Sequence, residues 1–310
     1  MGETNRRGVF QHDLIVPRFG LSCSLRLPFV QTNHWSELPV VAFSPAADTM
    51  RSNPRRMTTL ILAHGILGFG DPLGVSLPVN SFNGVARHLR QRGFRVETPQ
   101  VDSIGSIQAR GSELGKFIAN VPLAAGERLH VIAHSMGGLD ARFALARVPG
   151  VRERVATLIT IGTPHAGSTV ADALAKQAGP IFDVVPSFLK NALTGGLQDL
   201  TTAGVARFNQ ETDNVSGPRY IAVAGNAALG GNESLLFQLA AVIGHETNDI
   251  NDGVVTRASA LRVGYEHLDD WPVDHAGEIG WTVPPVSADL PILLTTPRHF
   301  ARYDDLVARL

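Results

Sequence analysis

From Thr58 onward, short apolar runs alternate with segments of helical periodicity, and this alternation constrains the fold more than any other feature. The apolar runs have the length of buried strands and are TTLILAHG (58–65), FRVETP (94–99), RLHVIAHS (128–135), VATLITIG (155–162) and RYIAVAG (219–225). The helical segments between them cover 81–93, 106–120 and 136–147. Such alternation is typical of βα units. The sequence therefore predicts an α/β fold, with a mostly parallel central sheet and helices on both of its faces.

The first part of the chain has a different character. Residues 1–57 contain scattered arginines and prolines and only short apolar clusters. A chain of 310 residues is compatible with one α/β core. We interpret residues 1–57 as an N-terminal accessory segment and residues 58–310 as a single domain.

Charge and hydropathy exclude some classes of function. The net charge is −1, and no long basic run is present, so a nucleic acid is not an expected partner. No apolar stretch reaches the roughly 20 residues of a membrane-spanning helix, and no signal peptide is recognisable. The sequence predicts a cytoplasmic protein without a transmembrane segment. A small or apolar substrate fits this composition better.

A long segment separates the fourth and fifth predicted strands. It has about 55 residues, more than a simple crossover needs. Its apolar side chains at helical spacing are Ile181, Val184, Val185, Phe188 and Leu189. This helix either packs on the core or covers an active site as a lid. We expect a helical lid or cap insertion at about 168–215.

The most informative motif is AHSMGG (133–138), which lies between an apolar strand and an alanine-rich helix. A serine on a sharp strand-to-helix turn has a strained backbone and an exposed hydroxyl, and it needs small residues two positions before and after it. Ala133 and Gly137 meet this requirement. The motif predicts that Ser135 is a nucleophile and that the backbone N–H of Met136 donates to the oxyanion.

The loop after the first predicted strand reads HGILGFGDP (64–72). Its position predicts the second oxyanion donor, which we assign to the backbone N–H of Ile66, since only the amide is needed. A glycine-rich turn without a ligand is the alternative. A phosphate-binding loop is a weaker interpretation because no Lys-Ser/Thr pair follows the glycines.

An acid and a base that would activate Ser135 are expected after it in the sequence. In α/β folds with a serine on such a turn, the catalytic triad runs Ser, Asp or Glu, His along the chain. Asp252 is the best acid because Asn251 and Gly253 mark a tight turn around it, although Asp-Gly pairs also form turns without any catalytic role. Two histidines beyond it, His267 and His275, are flanked by acidic residues. The local chemistry does not separate these two as the base.

With these residues in place, the chain resembles the bacterial triacylglycerol lipases of the Pseudomonas and Burkholderia type over roughly residues 59–280. The shared motifs are HGILGFG, FNGVARHLRQRGFRV, QARGSEL, ITIGTPHAGS (159–168), LTTAGVARFNQ (200–210) and NDGVVTRASALRVG (251–264). AHSMGG is also similar to the corresponding turn of small Bacillus lipases. The resemblance implies the α/β-hydrolase fold, places the family's acid on Asp252, and favours His275 over His267 as the base.

Departures from those lipases concern a metal ion and a disulfide. The lipases hold a calcium ion partly through an aspartate two residues after the catalytic histidine, where this chain has Gly277. They often have a cysteine just after the acid loop, in a region where Ala258 stands here, and Cys23 has no partner for an intramolecular disulfide. We therefore expect no cofactor and no calcium site.

The resemblance implies a serine carboxylic-ester hydrolase that cleaves acylglycerols through a Ser-Asp-His triad and an acyl-enzyme. The expected partner is an ester or lipid substrate, at a lipid-water interface if the substrate is insoluble. Two alternatives stay open. One is a carboxylesterase on short-chain soluble esters, and the other is a non-catalytic protein that binds a partner through the apolar insert.

Overall fold

A computed structural model describes residues 57–66, 81–185, 195–229, 235–282, 294–295 and 298–310. The strands are β1 (Thr59–Ala63), β2 (Arg95–Glu97), β3 (Leu129–His134), β4 (Val155–Ile161), β5 (Arg219–Val223) and β6 (Glu266–His267), followed by β7 (Trp281–Thr282) and β8 (Leu294–Thr295). Within these residues β1 to β6 form one sheet in the order β2-β1-β3-β4-β5-β6. All neighbouring strands in it run parallel, and β7 and β8 form a separate antiparallel pair.

Helices follow most of the strands. They are α1 (Val85–Gln91), α2 (Ile107–Asn120), α3 (Met136–Arg147), α4 (Val151–Arg154), α5 (Thr169–Lys176), α6 (Pro180–Val184), α7 (Gly195–Asp199), α8 (Thr202–Glu211), α9 (Leu235–Thr247), α10 (Arg257–Ala260) and α11 (His299–Val307). The five strands and three helices predicted from periodicity are all present, with ends that differ by a few residues. The two-residue strand β6 and the helices α9 and α11 were not predicted.

Alternate residues of β1 show why helices cover both faces of the sheet. Leu60 and Leu62 pack in one apolar cluster with side chains of α1 and α11. Ile61 and Ala63 point to the opposite face and pack with side chains of α2 and α3. Because successive side chains of a strand alternate between faces, a run that is apolar throughout has to be buried on both sides. The predicted α/β sheet with two helical layers is confirmed.

Beyond β6 the chain stays alongside the end of β5. The backbone N–H of Leu268 donates to the oxygen of Ala222, and that of Trp271 donates to the oxygen of Ala224. Asn226 in turn donates its N–H to the Trp271 oxygen. These bonds carry the segment after residue 267 along the carboxyl end of the sheet, toward the region where Ser135 lies.

The predicted insert is helical where it is described, over α5 to α8. Ile181 and Val185 are buried and pack with apolar residues of α9, whereas Val184 is 41 % exposed. Phe188 and Leu189 lie outside the described residues, so the lid itself stays a prediction. The proposed accessory segment over residues 1–57 is outside the described residues except for Met57. Within the part of the chain that the structure describes, no helix is both long and apolar enough to span a membrane.

Candidate active site

Ser135 lies between the end of β3 and the start of α3, at the carboxyl edge of the sheet. Its φ of 55° and ψ of −132° place it outside the regions that L-residues ordinarily occupy. The turn is held by hydrogen bonds from Ser135 N to the Ile161 oxygen (2.9 Å) and from the Thr163 hydroxyl to the Ser135 oxygen (2.9 Å). A strained serine held in this way is the backbone feature of a nucleophile elbow.

Small residues let β1 approach this turn closely. A Cβ added to Gly137 would lie 2.6 Å from the Ala63 oxygen and 2.7 Å from the His64 oxygen. A Cβ added to Gly65 would lie 2.7 Å from the Cβ of Ser135. Ala133 is fully buried and pairs with Ala63. The requirement for small residues around the serine, predicted from the sequence, therefore comes from the end of β1.

Gly137→Ala is expected to destabilise the fold by about 1–3 kcal/mol and to reduce any Ser135-dependent activity more than tenfold, because the new methyl collides with backbone atoms. Thermal unfolding and ester hydrolysis measure the two effects. Gly244→Ala is the matched control. Its Cβ would meet its nearest neighbour, Asn251 Nδ2, at an ordinary 3.6 Å, so a gain of about 0.5–1 kcal/mol from helix propensity is expected there. Equal tolerance at both glycines would contradict the prediction.

The segment expected to hold the oxyanion follows β1. His64 is buried, its Nδ1 lies 2.8 Å from the Gly65 oxygen, and its Nε2 accepts a 3.4 Å hydrogen bond from Val101 N. Since Nε2 is the acceptor, Nδ1 carries the proton, and His64 is a neutral structural residue rather than a base. Burial lowers the pKa of His64 further. Ile66 follows in a turn, half-buried, and packs in the same apolar cluster as Met136.

Arg110 is a residue whose importance the sequence did not indicate. It is fully buried, and its guanidinium donates to the Asp140 carboxylate (Nε to Oδ2, 2.9 Å), to the His64 oxygen (2.8 Å) and to the Asp102 oxygen. Burial raises the pKa of Asp140 to about 7, and the charge of Arg110 acts in the opposite direction. Arg110 thus fixes the backbone immediately before Gly65 and Ile66.

Arg110→Met is expected to lower the free energy of unfolding by about 3–5 kcal/mol, because it leaves Asp140 buried without its counter-charge. The loss should be larger near pH 8.5 than near pH 6, since an unpaired buried carboxyl has a raised pKa and ionises only at the higher pH. Urea unfolding at the two pH values tests this. Adding Asp140→Asn should recover part of the loss, and a double variant no more stable than the single one would contradict the explanation.

Asp252 and His275 meet beside the elbow. Asp252 Oδ2 lies 2.8 Å from His275 Nδ1, and Asp252 Oδ1 accepts hydrogen bonds from the N–H groups of Val254 (2.8 Å) and Val255 (2.7 Å). The backbone N–H of His275 also donates to the backbone oxygen of Asp252. Since a carboxylate only accepts, the proton of neutral His275 sits on Nδ1, and Nε2 is left free to take a proton.

His267, the alternative base, lies elsewhere. It is an exposed residue of β6, and its Nε2 is 2.9 Å from the Arg262 oxygen. His275 is the histidine next to the serine, because its ring centroid is 4.5 Å from that of His134, which directly precedes Ser135. Within the described residues no hydrogen bond joins the Ser135 hydroxyl to His275. Such bonds are often long without a substrate and shorten when it binds.

Glu278 is a second residue that the structure adds to the site. Its carboxyl is fully buried, with Oε2 lying 3.1 Å from His134 Nε2 and 3.4 Å from His275 Nδ1. Burial, reinforced by the charges of Asp252 and Asp274, raises the pKa of Glu278 well above its ordinary value. Its signal in the sequence is the spacing His275-Ala-Gly-Glu278, which resembles the segment that holds the base in the lipases.

Two metal questions arise at this site. His134, His275 and Glu278 offer ligand atoms within 4.8 Å of one another, but the nitrogens facing the carboxyls already bond to protein oxygens, which favours a hydrogen-bonded network. Nor do the residues after His275 fit the calcium site of the lipases. Gly277 has no carboxylate, and its backbone oxygen accepts a 2.7 Å hydrogen bond from the Arg302 guanidinium, so this oxygen already has a cationic partner.

Fold and site together define the class: the chain has the α/β-hydrolase fold, with a serine at a nucleophile elbow and an Asp-His pair beside it. Residues 120–217 match a family model described as a PGAP1-like alpha/beta domain. The chain is 30% identical over 172 residues to a triacylglycerol lipase of Pseudomonas fragi, covering 49% of this chain and 56% of that protein.

Two further comparisons agree with this class. A triacylglycerol lipase of Burkholderia plantarii is 32% identical over 136 residues, covering 43% of this chain and 36% of that protein. The crystal structure of Bacillus licheniformis lipase BlEst2 in mature form superposes with a TM-score of 0.59 at 25% identity, covering 73% of this chain and 87% of that chain. The similarity to triacylglycerol lipases expected from the motifs is confirmed. The chain spans about half the length, or less, of these curated relatives.

Proposed function

We propose that this chain is a serine carboxylic-ester hydrolase whose substrates are acylglycerol esters. The observation that carries the proposal is the 2.8 Å contact between Asp252 Oδ2 and His275 Nδ1, next to a serine in a strained strand-to-helix turn. An isolated strained serine can be structural. Here the imidazole Nδ1 is hydrogen-bonded to a buried carboxylate, and Nε2 is free beside the serine. This is the arrangement of a general base.

The reaction follows from these roles. His275 Nε2 takes the proton of the Ser135 hydroxyl as its oxygen attacks the ester carbonyl carbon, and Asp252 stabilises the resulting imidazolium. The backbone N–H groups of Ile66 and Met136 donate to the oxyanion, helped by the positive end of the α3 dipole. His275 then gives its proton to the departing alcohol. Water, deprotonated by His275 in the same way, attacks the acyl carbon, and the imidazolium returns its proton to Ser135 Oγ as the carboxylic acid is released.

No step of this sequence requires a metal ion or an organic cofactor. The proposal therefore includes an enzyme whose activity is unaffected by a chelator or by added calcium. The position of Gly277 against the Arg302 guanidinium supports this part of the proposal. Strong activation by calcium would show that another site on the chain contributes.

The substrate class is proposed from the similarity to triacylglycerol lipases, and it is tested by a series of p-nitrophenyl esters from acetate to palmitate together with emulsified triglyceride. An acylglycerol hydrolase should prefer long chains and cleave the emulsion. A sharp optimum at the shortest esters would favour a carboxylesterase on soluble substrates. A p-nitrophenyl phosphonate should in either case modify Ser135, as judged by peptide mass, and an unmodified Ser135 with no hydrolysis would indicate a non-catalytic protein.

A further inference from the structure

The side chains of His134 and Glu278 connect the elbow to the loop that carries the base. His134, the last residue of β3, has its Nε2 3.0 Å from the His275 backbone oxygen and 3.1 Å from Glu278 Oε2. Since the backbone oxygen can only accept, Nε2 carries a proton and donates it between the two acceptors. The residue before Ser135 thus holds the backbone of His275 directly and Glu278 at the same time.

The space around the Glu278 carboxyl is shaped by two glycines that follow β4 and β5. A Cβ on Gly225 would lie 2.6 Å from Glu278 Oε1, and one on Gly162 would overlap Oε2. Gly162 also has a φ of 54°, which disfavours other residues. The carboxyl ends of two central strands therefore leave room for a carboxyl that has no exposed surface.

The charge on this carboxyl can be assigned from its neighbours. Asp252 Oδ2 and Glu278 Oε2 lie 2.8 Å and 3.4 Å from the same His275 Nδ1, and two buried carboxyls this close do not both ionise. Asp252 accepts two backbone N–H bonds in addition, whereas Glu278 accepts from His134, whose pKa burial lowers well below its ordinary value. Asp252 is the better stabilised anion, so the proton belongs to Glu278.

We propose that His134 and Glu278 form an uncharged hydrogen-bonded pair of positioning residues that holds the His275 ring and backbone toward Ser135. This inference rests on the proposed function, because positioning matters only if His275 is the base. It assigns the role of Glu278 to its acceptor oxygen and its shape. Its charge has no part in that role, and the single negative charge beside the imidazole is that of Asp252.

The test compares Glu278→Leu, which removes the acceptor, with Glu278→Gln, which keeps the acceptor and cannot ionise. With the full chain and a soluble p-nitrophenyl ester, Glu278→Leu should lower kcat about 10- to 100-fold with little change in KM, because the base is displaced. Glu278→Gln should recover most of that loss, and its kcat/KM should fall on the acid side at the same pH as in the wild type. His134→Phe, which keeps a ring and loses the donor, should lower kcat as Glu278→Leu does. The double variant His134→Phe/Glu278→Leu should have a kcat no lower than that of the less active single variant.

Unfolding at different pH values provides a second readout. The groups facing Glu278 are Asp252, Asp274, Arg302, His134 and His275. Because burial raises the pKa of Glu278 in the folded chain, folding takes up a proton at this group above the ordinary value of 4.5, and the contribution of Glu278 to wild-type stability falls as pH rises from there. Glu278→Gln has no such group, so its stability relative to the wild type should increase with pH.

Two results would overturn the inference. Glu278→Gln could lose as much activity as Glu278→Leu, with its acid limb moved to lower pH, which would make the charge of Glu278 the important property. Glu278→Leu could also keep wild-type kcat, which would remove any positioning role. Both results require a wild type that hydrolyses the ester and a Ser135→Ala variant that does not. If wild type and Ser135→Ala behave alike, the proposed function itself has failed.

Discussion

Ser135→Ala is expected to lower kcat for ester hydrolysis on the order of 10⁶-fold, while the chain stays folded. The reason is that the Ser135 hydroxyl is the nucleophile of the proposed reaction, whereas the other groups of the site assist it. His275 and the backbone donors remain, but the atom that forms the acyl-enzyme is gone, and water has to attack directly. The measurement is kcat of the purified variant on the best ester of the series, with circular dichroism and thermal unfolding as tests of the fold.

Ser135→Ala removes only the hydroxyl oxygen, at a place where the Ser135 side chain and the backbone of Gly65 are close together. The smaller side chain therefore fits there, and no loss of stability is expected from packing. Ser112→Ala is the matched control. That hydroxyl lies on α2 and donates to the Gln108 oxygen within its own helix, so the substitution should leave kcat within about twofold. Undiminished activity in Ser135→Ala would remove Ser135 from the mechanism, whereas an equal loss in Ser112→Ala would point to the preparation.

Asp252→Asn is expected to lower kcat about 10⁴-fold without unfolding the chain. The carboxylate oxygen 2.8 Å from His275 Nδ1 fixes the tautomer with its proton on Nδ1. An amide that presents its NH₂ group there favours the opposite tautomer, in which Nε2 carries the proton and cannot accept one from serine. Single-turnover and steady-state kinetics on the same ester should show that acylation is the impaired step.

Asp269→Asn provides the comparison for Asp252→Asn. Asp269 is an exposed carboxylate on the segment that leads to His275, so the same chemical change is made there without touching the imidazole. Its kcat should stay within about threefold of the wild type. If Asp252→Asn kept near-wild-type activity, Asp252 would not be the acid, and Glu278, the other carboxyl within reach of His275 Nδ1, would become the group to test.

Local signals in the sequence were sufficient to predict β1 to β5, the strand-to-helix turn and the loop of the candidate acid. Ser135 was predicted as the nucleophile because a buried strand, a small-residue turn and a helix follow each other without a gap. Asp252 was predicted as the acid because Asn251 and Gly253 mark its turn. These features depend on a few neighbouring residues, and the structure places Ser135 and Asp252 where such signals put them.

The candidate base was harder to predict because long-range contacts determine its position. His267 and His275 have similar local surroundings, and only the motif resemblance favoured His275. In the structure the choice depends on backbone bonds between residues about 45 positions apart, such as Leu268 N to the Ala222 oxygen. These bonds send His267 into β6 and bring His275 to the elbow.

The contacts of Arg110 and Glu278 lay beyond sequence reasoning for the same reason. Arg110 meets the His64 oxygen across 46 positions, and Glu278 meets His134 across 144. A fully buried arginine or glutamate is unusual unless it has partners, and no local pattern identifies partners so distant. The residues that support the site were therefore missed, although those expected to do the chemistry were named.

The segment 268–275, which ends at the candidate base, is joined to the sheet by single hydrogen bonds at Ala222, Ala224 and Asn226. A full strand would form a continuous ladder of such bonds there. Opening of that short stretch therefore costs less free energy than unfolding of the core, and it moves the imidazole away from the serine. The geometry of the site and the global fold are then lost at two different temperatures or denaturant concentrations. On mild heating or in low denaturant the proposed ester hydrolysis should be lost, reversibly, while β1 to β5 are still intact.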